Sequence, residues 1–173
     1  KVSAEVKIAW IHTDYSVVGT NTKMDFKMWN KFDHIIAVSE VCKDAFEKRY
    51  PGLKGKVTVI ENITAPEFVR KMASEEVNDF DISNKCFNLI TVARLSFAKG
   101  IDNAVKALKL LHDRGMKDIK WYVAGYGGDE GAIRGLIAEY GLEESFILLG
   151  KKVNPYPYVK KCDLYVQPSR YEG

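Results

Sequence analysis

Apolar residues along this chain fall into short continuous runs, separated by stretches in which they recur every three or four positions. Val6-Lys7-Ile8-Ala9-Trp10-Ile11, His34-Ile35-Ile36-Ala37-Val38 and Lys56-Val57-Thr58-Val59-Ile60 read as strands. A helix is predicted around Lys23 to Asn30. Another runs from Glu40 to about Arg49, with Ser39 able to cap it and Pro51-Gly52 to stop it. Thr64 to Lys85 has no clean periodicity and is rich in acidic and polar residues, which predicts a linker with one short helix.

Beyond Lys85 the pattern is stricter. Phe87 to Val92 is an apolar run of the kind buried on both faces of a sheet. Ile101, Ala104, Val105, Leu108 and Leu111 mark one face of a helix that ends at Gly115. Ile119 to Ala124 is the next strand. Ile133, Leu136, Ile137 and Tyr140 form a second amphipathic face, with Gly141 at C′. Strands at Phe146–Leu149 and Leu164–Val166 flank a short helix at Tyr156–Lys161. Such alternation predicts an α/β fold with parallel sheets and right-handed crossovers, in which ligands sit at the carboxyl ends of the strands. Tyr171-Glu172-Gly173 follow a buried-type strand with no covering helix, so the chain is expected to be a fragment of a longer protein.

Composition changes this picture little. The 173 residues carry 26 Lys+Arg against 23 Asp+Glu and are 46% hydrophobic, an ordinary globular balance that excludes disorder as the main description. A net charge of +3 is too small to argue for nucleic acid. Cys42, Cys86 and Cys162 are odd in number, widely spaced and without a CxxC, which reads as reduced cytosolic thiols. No apolar run approaches the ~20 residues of a membrane span, and Lys1 to Glu5 has no signal-peptide pattern.

Candidate chemistry clusters in the loops that follow strands. Arg94 and Lys99, five apart before a predicted helix, can hold a diphosphate, or can be two solvated surface cations. Gly125-Tyr126-Gly127-Gly128 suggests a dinucleotide loop, but the third glycine of GxGxxG falls on Glu130, which disfavours a nicotinamide site. Gly128 is expected to serve a turn with positive φ, and Gly127 to allow close approach of a ligand. Asp79-Phe80-Asp81 is formally a DxD, but it follows no strand and reads as a decoy for a metal site. His12 stands at a strand end, while His34 and His112 lack metal-ligand spacing. Glu172 follows the last strand, on the same rim as Arg94 and Gly127.

The strings Ala93-Arg94-Leu95 with Lys99-Gly100, Val123-Ala124-Gly125-Tyr126-Gly127, Leu149-Gly150 with Asn154-Pro155-Tyr156-Pro157-Tyr158, and Ser169-Arg170-Tyr171-Glu172-Gly173 resemble glycosyltransferase family 4. These are retaining enzymes of the GT-B fold. Trp10-Ile11-His12, Asp33 to Ser39 and Val59-Ile60-Glu61-Asn62 resemble the end of that family's N-terminal domain. Each string alone is weak; in register they are specific.

The resemblance implies two Rossmann-like, doubly wound parallel-sheet domains, both incomplete here: 1–66 from the acceptor domain, 67–85 as linker and 86–173 from the nucleotide-sugar domain. It assigns Arg94 and Lys99 to the donor diphosphate, and Glu172, with Gly173 beside it, to the donor sugar. His12 goes to the acceptor side, Lys151, Lys152 and Val153 to the nucleotide base, and Gly127 to the nucleotide side of the cleft. Arg94, Lys99, Lys151 and Lys152 are then expected to gather around one diphosphate cleft. The expected activity is metal-independent transfer of a sugar from a nucleoside-diphosphate sugar to a glycan or lipid-linked acceptor in bacterial surface polysaccharide synthesis. No cofactor, metal or nucleic acid is implied. The full-length protein is expected to be cytoplasmic, with room for peripheral membrane association, and this fragment to be inactive. Ala93, Ala98 and Tyr126-Gly127-Gly128 depart from the usual residues, which leaves the donor's detail open. A GT-B nucleotide-sugar epimerase and a noncatalytic nucleotide-binding module are the alternatives.

Overall fold

The computed structural model describes residues 3–82 and 84–172. The chain divides into two compact units: one ends at Thr64 and takes in Tyr171 and Glu172, and the other is Ala65–Arg170.

In the first unit, β1 (Ile8–Ile11), β2 (His34–Ala37) and β3 (Val57–Val59) form a parallel sheet in that order. β1 starts two residues later than the apolar run suggests. Its register is already set at Lys7, whose N–H donates to Asp33 Oδ2 at 2.8 Å and whose carbonyl accepts from Asp33 N–H at 2.9 Å. α1 (Thr22–Trp29) is capped by Asn21, and α2 (Glu40–Arg49) by Ser39, whose Oγ accepts from Cys42 N–H at 3.2 Å. Helix α2 gives way at Tyr50 to a 3-10 turn, Pro51–Leu53, as Pro51-Gly52 predicts. Phe46, Tyr50, Leu53 and Ile35 fill the core.

The second unit is a four-stranded parallel sheet in the order β6 (Phe146–Gly150), β5 (Ile119–Ala124), β4 (Phe87–Val92), β7 (Leu164–Tyr165). One face is covered by α4 (Ile101–Asp113) and α5 (Glu130–Glu139), through Ile101, Val105, Leu108, Ile133 and Ile137 packed on Leu89, Trp121 and Val123. The other face takes α6 (Tyr156–Lys161), on which α3 (Pro66–Ala73) packs. There Phe80 is buried, edge-on to Tyr122 at 5.0 Å and beside Tyr158 at 5.1 Å. The stretch 67–85 therefore contributes a helix and a core aromatic to this unit.

Buried polar groups tie the β7 edge to the centre. Thr91 Oγ accepts from Trp121 Nε1 at 3.0 Å and donates to the Val166 carbonyl at 2.7 Å. Asp163 Oδ2 accepts from Asn88 N–H at 2.7 Å, and Asn88 returns its carbonyl to Asp163 N–H at 2.9 Å. Gly115 and Gly141 have φ of +89° and +64°, the left-handed helix ends expected of them.

Candidate functional site

All four strands of the second sheet run the same way, so their carboxyl ends open onto one rim. Four loops meet there, and backbone hydrogen bonds lace three of them together. Leu95 N–H donates to the Tyr126 carbonyl at 3.0 Å, Asp129 N–H to the Leu95 carbonyl at 3.2 Å, and Gly125 N–H to the Gly150 carbonyl at 2.8 Å. The fourth loop, after β7, joins through Arg170 N–H, which donates to the Ala98 carbonyl at 2.8 Å.

The glycines on this rim are small because backbone passes where a Cβ would stand. A Cβ on Gly127 would lie 2.2 Å from Leu95 O, and one on Gly125 would lie 1.8 Å from Ala93 O. Gly100, with φ +62°, would place a Cβ 2.3 Å from Pro168 O. Gly128, the glycine expected to need positive φ, does not have it and faces open space. In this loop it is Gly125 that has positive φ, +157°.

Arg94 is exposed directly after β4, and among the described residues its guanidinium has no ion-pair partner. Lys99 closes a 3-10 turn, Phe97–Lys99, and Gly100, which has no side chain to cap with, then leads into α4. The β5–β6 pairing slips by one residue between Val123 and Ala124, so that Gly150 takes a φ of +71°. That irregularity redirects the following loop, on which Lys151 and Val153 are exposed, Val153 at 98%. Lys151 Nζ stands 5.4 Å above the Tyr126 ring.

Lys152 is engaged elsewhere. Its ammonium donates to Asp79 Oδ2 at 2.6 Å and lies 5.0 Å from the Tyr158 ring centroid, while Tyr158 Oη donates to Asp79 Oδ1 at 2.6 Å. These two hydrogen bonds, Lys152's first, hold the Asp79 carboxyl below its usual range. Asp79, the first carboxylate of the DxD, therefore anchors its own segment to the loop after β6. Arg94, Lys99, Gly127 and Lys151 thus share one rim, and Lys152 begins that rim but spends its charge on Asp79.

Glu172 is exposed, two residues after Arg170, and Gly173 lies outside the described residues. In the first unit His12 is exposed just past β1, its ring stacked on Trp10 at 6.1 Å. His112 contacts the Ile119 carbonyl at 3.2 Å, a local structural bond.

Arg170 is the rim residue that sequence reasoning passes over. Its guanidinium grips Asp102 with both nitrogens, at 2.8 and 2.6 Å, and donates to the Phe97 carbonyl at 2.6 Å. Its string was visible, but no local signal couples it to a carboxylate 68 residues away.

The family model described as glycosyl transferases group 1 matches residues 73–173. An uncharacterized glycosyltransferase of Methanocaldococcus jannaschii is 24% identical over 151 residues, 86% of this chain and 37% of that protein. The N-acetylgalactosamine-N,N'-diacetylbacillosaminyl-diphospho-undecaprenol 4-alpha-N-acetylgalactosaminyltransferase of Campylobacter jejuni is 33% identical over 93 residues, 54% of this chain and 24% of that enzyme. Anabaena HepE, solved with UDP and glucose, superposes with a TM-score of 0.73 at 21% identity, covering 94% of this chain and 46% of that one. S. aureus TarM superposes with a TM-score of 0.72 at 19% identity, covering 97% and 32%. The fold is therefore GT-B, and the chain spans well under half the length of the curated relatives it matches. Among the described residues no helix is long and apolar enough to cross a membrane.

Proposed function

Because this chain belongs to the glycosyl transferases of group 1, we propose that its second unit binds a nucleoside-diphosphate sugar through Arg94, Lys99 and the start of α4. One observation carries this reading: an arginine with no ion-pair partner among the described residues and a turn lysine lie on the loop that leads into the N-terminus of α4 at the strand-end rim. Departure of a nucleoside diphosphate develops negative charge on its β-phosphate, and fixed cations with oriented N–H groups stabilise that charge. Lys151, above the Tyr126 ring, and the exposed Val153 suit the flat base of the nucleotide. Glu172 is assigned to the donor sugar hydroxyls and His12 to the acceptor side.

The whole protein then moves a sugar, with retention and without a metal, to a glycan or lipid-linked acceptor in bacterial surface polysaccharide synthesis. The diphospho-undecaprenol in the name of the Campylobacter relative supports a lipid-linked acceptor, and UDP in the HepE structure makes UDP the first nucleotide to try.

Isothermal titration of UDP and GDP into the chain tests the site. Each charge-assisted hydrogen bond contributes roughly 1.5–3 kcal/mol, so Arg94→Ala with Lys99→Ala is expected to weaken binding by about a hundredfold or more. Unchanged affinity in the double variant removes the diphosphate site. Epimerisation of a nucleotide sugar by the whole protein, with no acceptor present, replaces the transfer reading with the epimerase one.

A further inference from the structure

We propose that Arg170 is a positioning residue for the donor: it cancels the charge of Asp102 at the start of α4 and holds the turn that carries Lys99. The inference rests on the donor reading above and adds a residue to it.

Asp102 lies in the first turn of α4, where a carboxylate is favourable against the helix dipole. A bound diphosphate seeks the same positive end, so a bare Asp102 would meet it as a like charge. Arg170 removes that conflict by binding both carboxylate oxygens in a fork, the geometry in which guanidinium and carboxylate pair best. The Arg170 and Asp102 side chains are 22% and 34% exposed, so water screens this pair less than an open surface pair. Nothing about the helix requires the fork, since Lys106 already stands 3.6 Å from Asp102 one turn on.

The same side chain fixes the turn. Arg170 donates to the Phe97 carbonyl at 2.6 Å, and its guanidinium lies 4.2 Å from the centroid of the Phe97 ring. Its backbone N–H takes the Ala98 carbonyl, and the Pro168 carbonyl sits against Gly100. Residues 97, 98 and 100 are thus all held from the loop after β7, and Lys99 stands between them.

A simple staple would explain the same contacts, and binding separates the two. UDP titration is compared for the parent chain, Arg170→Ala, Asp102→Asn and the combination, with thermal unfolding run on each. Arg170→Ala exposes Asp102 and frees the turn, and is expected to lose about tenfold or more in affinity. Asp102→Asn keeps the Phe97 and Ala98 contacts while deleting the charge, so its affinity should stay within about threefold of the parent or rise. Added to Arg170→Ala, it should recover a large part of the loss, which a staple cannot do. Equal binding in Arg170→Ala, no recovery in the combination, or a tenfold loss in Asp102→Asn overturns the proposal. Should Arg170→Ala fail to fold, Asp102→Asn carries the test alone. A parent chain that binds neither UDP nor GDP overturns the donor reading instead, a different result from any of these.

Discussion

Gly127 and Gly128 are neighbours in one loop, yet the structure predicts opposite responses to the same added methyl group. On Gly127 a Cβ would stand 2.2 Å from Leu95 O and 2.8 Å from both the Leu95 carbonyl carbon and its nitrogen. All three are backbone atoms, so no side chain can swing aside. Ordinary C···O contacts begin near 3.3 Å, so the loops after β4 and β5 must part by about 1 Å. That displacement strains the Leu95 N–H bond to Tyr126 O at 3.0 Å and the Asp129 N–H bond to Leu95 O at 3.2 Å. Two backbone bonds at roughly 0.5–1.5 kcal/mol each, plus roughly 1–3 kcal/mol for overpacking, give about 2–6 kcal/mol for Gly127→Ala. On Gly128 nothing lies within 4 Å and φ is not positive. Alanine there narrows the unfolded ensemble and should be neutral or stabilising by up to about 1 kcal/mol.

Urea unfolding decides the matter, with fluorescence as the probe. Trp121 is the one tryptophan between residues 65 and 170, so a Trp10→Phe, Trp29→Phe background reports on the second unit. If Gly127→Ala comes within about 0.5 kcal/mol of Gly128→Ala, the reasoning from backbone contact is wrong. The remaining use for Gly127 would then be the one the sequence suggests, room for a ligand.

Two further outcomes follow from polar groups in the same unit. Thr91→Val keeps shape but orphans the buried Trp121 N–H and removes a donor from the Val166 carbonyl, an expected loss of about 2–5 kcal/mol in urea unfolding; Thr91→Ser should retain most of it, and equal losses would show that the hydroxyl is not the cause. For Asp79 the folded carboxyl lies below its model-peptide value of 3.8, so its contribution is present above about pH 4 and lost as pH falls through the depressed value. The Tm gap between the parent and Asp79→Asn should hold from pH 7 to about 5 and close below about pH 4, and a gap that persists in stronger acid would refute the pairing with Lys152.

What the sequence makes legible here is what its local period encodes. The strand runs from Phe87 and Ile119 and the helix faces of α4 and α5 are set by side chains that bury themselves where they stand. Chain order in a parallel α/β unit then brings the loops of Arg94, Gly127 and Lys151 to one rim without any knowledge of contacts. Phe80 is different: it sits in an acidic, aperiodic stretch, and Ile90, Tyr122 and Tyr158, farther along the chain, give it a place to be buried. The same holds for Lys152, which reads as a rim cation until Asp79 is seen to hold it, and for Arg170 with Asp102.

The glycines show why this limit matters for function. A glycine in a strand-end loop has two physical explanations, approach of a ligand or approach of another segment of backbone, and the letters are the same for both. At Gly100, Gly125 and Gly127 the second explanation is already met, since a Cβ there would stand within 2.3 Å of the backbone oxygen of Pro168, Ala93 or Leu95. A match of such glycines to a nucleotide-binding pattern therefore reports first that the rim loops are packed on one another. Cations held on that packed rim are the stronger evidence for an anionic ligand, because nothing in the packing of glycine backbone requires a charge. Arg94 meets that standard: it is exposed and without an ion-pair partner among the described residues, so its variant, more than any glycine's, decides whether the rim binds a diphosphate.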